Sequence, residues 1–121
     1  MSRAQMINYN GVNIFSMDFS NLKDVNDVKK IMDESIAYIR KQPARSVIAL
    51  SNLENMHFNN EIKNLFQNFI NGNKSYIKVS AVIGLSGLQR FVYNSLNKLT
   101  GRDIRAFENM TDAGNYLAKN S

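Results

Sequence analysis

The chain has no cysteine and no tryptophan, one proline and one histidine. Without cysteine there is no disulfide, no thiolate nucleophile and no thiolate-held metal. The lone His57 has neither cysteines nor spaced carboxylates beside it, which makes a poor metal site. No apolar run reaches the ~18 residues that span a bilayer. The opening Met1-Ser2-Arg3-Ala4-Gln5 also lacks the apolar segment of a secretory signal. A cytoplasmic protein is the expectation, neither transmembrane nor disulfide-bonded.

What is present suits one compact unit. A length of 121 residues with 44% hydrophobic content fits a single domain over residues 1–121 with a buried core. The net charge of +5 is unevenly spread. Acids gather early, at Asp18, Asp24, Asp27, Asp33, Glu34, Glu54 and Glu61. From Ile62 to Phe107 the charged side chains are Lys63, Lys74, Lys78, Arg90, Lys98, Arg102, Asp103 and Arg105, seven basic and one acidic. A basic half attracts acidic partners, phosphates or anionic lipid; equally, mixed surface charge serves to keep a domain in solution.

Periodicity carries the fold. Asn10-Gly11 between two alternating runs tolerates positive φ at both centres of a type I′ turn, which predicts a β-hairpin. From Asp24, the residues Val25, Val28, Met32, Ile36 and Ile39 recur on one helical face, and Pro43 is expected to end that helix. Ser46–Ser51 is a short apolar run suited to a strand covered on both faces. After the loop 52–58, Asn59 or Asn60 caps a helix with Ile62, Leu65, Phe66, Phe69 and Ile70 inward and Gly72 at its C-terminal cap. Lys78–Gly84 is a further strand. Ser86 and Gln89 form a capping box for a third helix, expected to bury Leu88, Phe91, Val92, Leu96 and Leu99 and to stop at Gly101. Asp103–Phe107 is a last strand, and Thr111 opens a last helix that packs through Ala113, Tyr116 and Leu117. The order β-β-α-β-α-β-α-β-α predicts an α/β fold with a mixed, mostly parallel five-stranded sheet flanked by four helices.

Chemistry is sparse. Gly84-Leu85-Ser86-Gly87-Leu88 follows a strand and opens a helix, as a nucleophile elbow does, but Leu88 occupies the place of the second glycine. No base lies near Ser86 in the sequence. The same turn, Gly84, Ser86 and Gly87, is a weak candidate for an anion, because a helix N-terminus favours negative charge. Asp33 and Glu34 are adjacent on a helix and face different ways, so they do not pair as acid and base. The tyrosines do not interleave with the bases in a stacking motif, so nucleic acid is not expected. The methionines suit core gaps rather than a cofactor site. No enzyme, no cofactor and no metal are expected.

The element order and two segments resemble the STAS domain, the module shared by sulphate transporters and anti-sigma-factor antagonists. In that family a buried strand runs as apolar-Asp-Leu-Ser-Gly-Val into a loop with Asp-Ser-Ser-Gly. The matching stretch is Ile48 to Asn60, where Leu50-Ser51 fits and Ala49 replaces the usual Asp. On this register Phe58 stands where a partner kinase phosphorylates a serine in anti-sigma-factor antagonists, and His57 stands where an Asp precedes it. A phenyl ring accepts no phosphoryl group, and Ser51 and Ser86 are not equivalents of that serine. The half from Ala81 through Gly101 to Leu117 is more like a branch of small stand-alone bacterial STAS-like proteins, some of which resemble a lipid-binding class.

The resemblance implies a non-enzymatic regulatory module that works by protein–protein contact, without the usual switch serine. Its expected contact surface is Met56, His57, Phe58 and Asn59, the region that matches the family's partner-binding segment. A homodimer is compatible with this reading. The alternative is a small carrier holding an acyl chain or anionic ligand between sheet and helices, with Gly84, Ser86 and Gly87 near the head group.

Overall fold

The computed structural model describes residues 3–121 and, within them, every side chain but that of Leu88, so the expectation for Leu88 lies outside the described residues. The chain begins with the hairpin β1 (Ala4–Tyr9) and β2 (Val12–Asp18), joined at Asn10 and Gly11 with φ of 51° and 83°. Both values are the positive ones that a type I′ turn requires. There follow α1 (Val25–Ile39), β3 (Val47–Asn52), α2 (Asn60–Asn73), β4 (Ile77–Ile83), α3 (Gly87–Thr100), β5 (Arg105–Phe107) and α4 (Met110–Lys119). The five strands lie in sequence order, β1-β2-β3-β4-β5. Only β1 against β2 is antiparallel; every later pair is parallel. The predicted α/β architecture is the observed one.

Each crossover steps the same way across the sheet, and right-handed crossovers then place their helices on a common face. On that face α1, α2 and α3 bury Val28, Met32, Ile62, Phe66, Phe69 and Leu96 against Phe15, Met17, Ala49 and Val82. On the other face α4 is the covering helix, packing Ala113 and Leu117 on Ile14, Leu50 and Ala81. Gly114 sits where a Cβ would collide with the Tyr9 ring, so α4 lies close over the hairpin. A register shift opposite Val47 and Ile48 leaves Lys78 unpaired. That bulge lets Ile77 join the three-helix side while Val79 and Ala81 serve the α4 side.

Several boundaries differ from expectation for local reasons. The first helix ends at Ile39, ahead of Pro43, with Arg40 as its cap. Gly72 is no cap: α2 runs on through Asn73, and a Cβ at Gly72 would fall within the Arg40 guanidinium. β5 begins at Arg105 rather than Asp103, because the Asn97 amide takes both backbone groups of Ile104, donating to its C=O at 3.0 Å and accepting from its N–H at 3.1 Å. Asn109, not Thr111, caps α4, its side chain accepting from the Asp112 N–H at 2.9 Å.

The largest correction is the rotation of α3. Phe91 and Leu99, expected inside, are 69% and 66% exposed. Leu96 is buried as expected and Val92 is half-buried, while Gln89, Tyr93 and Thr100 take the other inward places. Polar anchors to neighbouring loops set this rotation, the Gln89 amide and the Asn97–Ile104 pair, while the inward Thr100 hydroxyl is satisfied within the helix by the Leu96 C=O at 2.7 Å. Among the described residues no helix is long and apolar enough to cross a membrane.

Candidate functional site

Three parallel strands end side by side, with Asn52 opposite Ile83 and Ile83 opposite Phe107. In open α/β sheets ligands are held at this carboxyl edge where the strand order reverses; the order here runs straight through without a reversal. The loops that leave this edge enclose an open crevice of ≈ 730 Å³ lined by, among others, Glu54, Met56, Gly84, Ser86, Gln89 and Glu108.

The loops are fastened to one another. Gly84 takes φ +80°, and a Cβ there would come within 2.6 Å of the Glu54 backbone nitrogen. Only glycine allows that approach with that backbone. Asn21 and Asn55 both take positive φ, and the Asn55 amide donates to the Asn21 Oδ1 at 2.9 Å. The Asn21 N–H donates to the Glu54 carbonyl at 2.9 Å, and the His57 N–H donates to the Leu22 carbonyl at 2.8 Å. Gln89 lies at the centre: its Oε1 accepts from the Ser86 N–H at 3.0 Å, and its Nε2 donates to the Met56 C=O at 3.1 Å.

The expected contact residues therefore separate. Met56 is 5% exposed and belongs to the three-helix core, so its side chain offers a partner nothing. Phe58 is half-buried against the same core. Asn59 is the cap of α2, its Oδ1 accepting from the Ile62 N–H at 2.9 Å. His57 is exposed. Of the seven candidate positions, the crevice gathers Met56, Gly84 and Ser86, and the lining does not include His57, Phe58, Asn59 or Gly87.

The electrostatics of the crevice oppose an anion. Its charged lining residues are Glu54 and Glu108, with no basic side chain among them. The Ser86 hydroxyl accepts from the Gln89 N–H at 3.3 Å, so it already serves the helix end that an anion would use. Beneath α2 aromatic side chains fill most of the space between helix and sheet. Phe66 packs edge-on against Phe19 and Phe69 and tilts against Tyr93, with centroids 5.1, 6.5 and 6.1 Å away. Among the described residues a cavity of ≈ 30 Å³ lies beneath α2, room for one or two waters.

Beside that cavity lies a pair that sequence reasoning missed. Arg102 donates to the Ser80 hydroxyl at 2.7 Å and to the Ile70 carbonyl at 3.4 Å. Burial lowers its pKa, with the Tyr93 phenol opposing. Burial drives the Tyr93 hydroxyl far above the ordinary phenol range, with Arg102 pulling the other way. Arg102 bonds a carbonyl in the last turn of α2, where the helix dipole favours a cation, so its place in the fold is structural. No family model matches the chain, and comparison with curated proteins and with solved structures likewise finds no match.

Proposed function

We propose that this chain is a non-enzymatic regulatory or interaction module of the STAS-like type, cytoplasmic, acting through protein–protein contact and lacking the switch serine. The observation that carries the reading is how the carboxyl edge is built. The hydroxyl best placed to act as a nucleophile, Ser86, is a helix cap, and the amide beside it, Gln89, ties two loops together. What the edge turns outward is a set of exposed carboxylates and amides, Glu54, Asn55, Glu108 and Asn109. Such groups recognise a polar surface without needing a reactive centre. Phe58, at the register position of the family's phosphorylated serine, packs against the core.

The test is affinity capture from cells that produce the chain, comparing wild type with the double reversal Glu54→Lys, Glu108→Lys. The expected result is a specific protein partner for wild type that the reversed variant loses. Absence of any partner above background contradicts the module reading. A co-purifying lipid or anion seen by native mass spectrometry would favour the carrier instead.

A further inference from the structure

The helix α3 carries two apolar faces, and the fold uses one. Inward stand Gln89, Tyr93, Leu96 and Thr100, two of them polar. Outward stand Phe91 and Leu99, two turns apart, with the small Ser95 midway between them at four-residue spacing. An ordinary surface helix is the reverse, with its largest apolar side chains in the core. Here the bonds of Gln89 and Asn97 to the backbone of neighbouring loops hold the apolar stripe out in solvent. Single exposed hydrophobes are ordinary, whereas Phe91 and Leu99 lie on the same outward side of one helix.

Charge states what would cover it. Arg90 and Lys98, each next in sequence to a member of the stripe, are exposed. From Ile62 to Arg102 the sequence contains no carboxylate side chain. Two copies pairing α3 on α3 are a poor fit, because the helices laid together bring Arg90 and Lys98 against like charges in either direction. A membrane is also poorly served, since anionic lipid is held by clusters of about four to eight basic residues, and beside this stripe stand Arg90 and Lys98. We infer that the outward face of α3 docks an acidic amphipathic helix of another protein, with apolar side chains over Phe91 and Leu99 and carboxylates beside Arg90 and Lys98. This rests on the interaction-module reading and adds to it a second contact surface, apart from the carboxyl edge, with the chemistry of the partner it takes.

The experiment places the photo-reactive residue p-benzoylphenylalanine at Ser95, or separately at Asn55 on the carboxyl edge, in cells that produce the chain. The Ser95 probe is expected to cross-link a protein through a peptide with apolar residues at three- and four-residue spacing and flanking Asp or Glu. Arg90→Glu with Lys98→Glu should cut that yield at least tenfold, while Arg90→Lys keeps it. With purified chain, a designed Leu/Glu amphipathic peptide should bind at least tenfold more tightly than its Leu/Lys counterpart and lose affinity in high salt. Capture by the Asn55 probe alone overturns this surface but leaves the module reading standing, and capture by neither overturns both. Cross-links to lipid, to a second copy or to a peptide without carboxylates overturn the proposal, as does equal binding of the two designed peptides.

Discussion

Gln89 donates from its side-chain amide to the carbonyl of Met56 at 3.1 Å, across the space between α3 and the loop that follows β3. The same amide oxygen closes the capping box on Ser86 at 3.0 Å. One buried side chain thus starts a helix and fixes a loop.

Removing that amide should cost more than removing the cap alone. Gln89→Ala leaves a buried carbonyl and an N–H without their partner, a loss of about 2–3 kcal/mol. Ser86→Ala should cost about 1 kcal/mol, the usual value of an N-cap. Urea unfolding midpoints rank the two, and equal losses would contradict the double role of Gln89.

Two glycines of one turn should respond oppositely to alanine. Gly84→Ala places a methyl against the Glu54 backbone in a left-handed conformation, so a loss of at least about 2–3 kcal/mol follows. At Gly87 a Cβ meets nothing within 4 Å. Gly87→Ala, in the first helical turn, should be neutral or stabilise by up to about 1 kcal/mol. Thermal unfolding of the two variants decides it.

The sequence showed the frame because the frame is made of local signals. Asn10-Gly11, the apolar runs of β3 and β4, the Ser86–Gln89 box and Gly101 each act within a few residues, and each forms as read. Gly101 ends α3 with φ 70°. What was not legible depends on partners distant in the chain. The rotation of α3 follows from bonds between Gln89 and Met56 and between Asn97 and Ile104; hydrophobic spacing alone favours Phe91 and Leu99 inside. Met56 reads both as a core-gap filler and as part of a contact surface, and the core claims it. Gly72 reads as a cap because its true reason, the Arg40 side chain, comes from another helix.

Alkaline pH should expose the buried phenol. The folded pKa of Tyr93 is raised above its ordinary value of 10.0, so the stability it contributes is full below pH 10.0 and is lost as pH rises beyond it. The unfolded chain then ionises this tyrosine while the folded chain resists. Arg102, lowered from 12.5, acts in the opposite sense as pH approaches that value. Tyr93→Phe should therefore flatten the fall of stability between pH 10.0 and about 11 while changing it by no more than about 1 kcal/mol near neutrality. Urea titrations of both proteins across that range measure the slope. An unchanged slope would place the phenol in water.

The facing of α3 decides where a partner can sit, and a chain without cysteine allows it to be measured without background. Single cysteines at Phe91, Leu99, Tyr93 and Leu96 can be labelled with a thiol reagent under native conditions. Labelling at the rate of an unfolded peptide is expected at 91 and 99, and labelling only on unfolding at 93 and 96. Protection at 91 and 99 with free reaction at 93 and 96 would turn the helix around and remove the docking face.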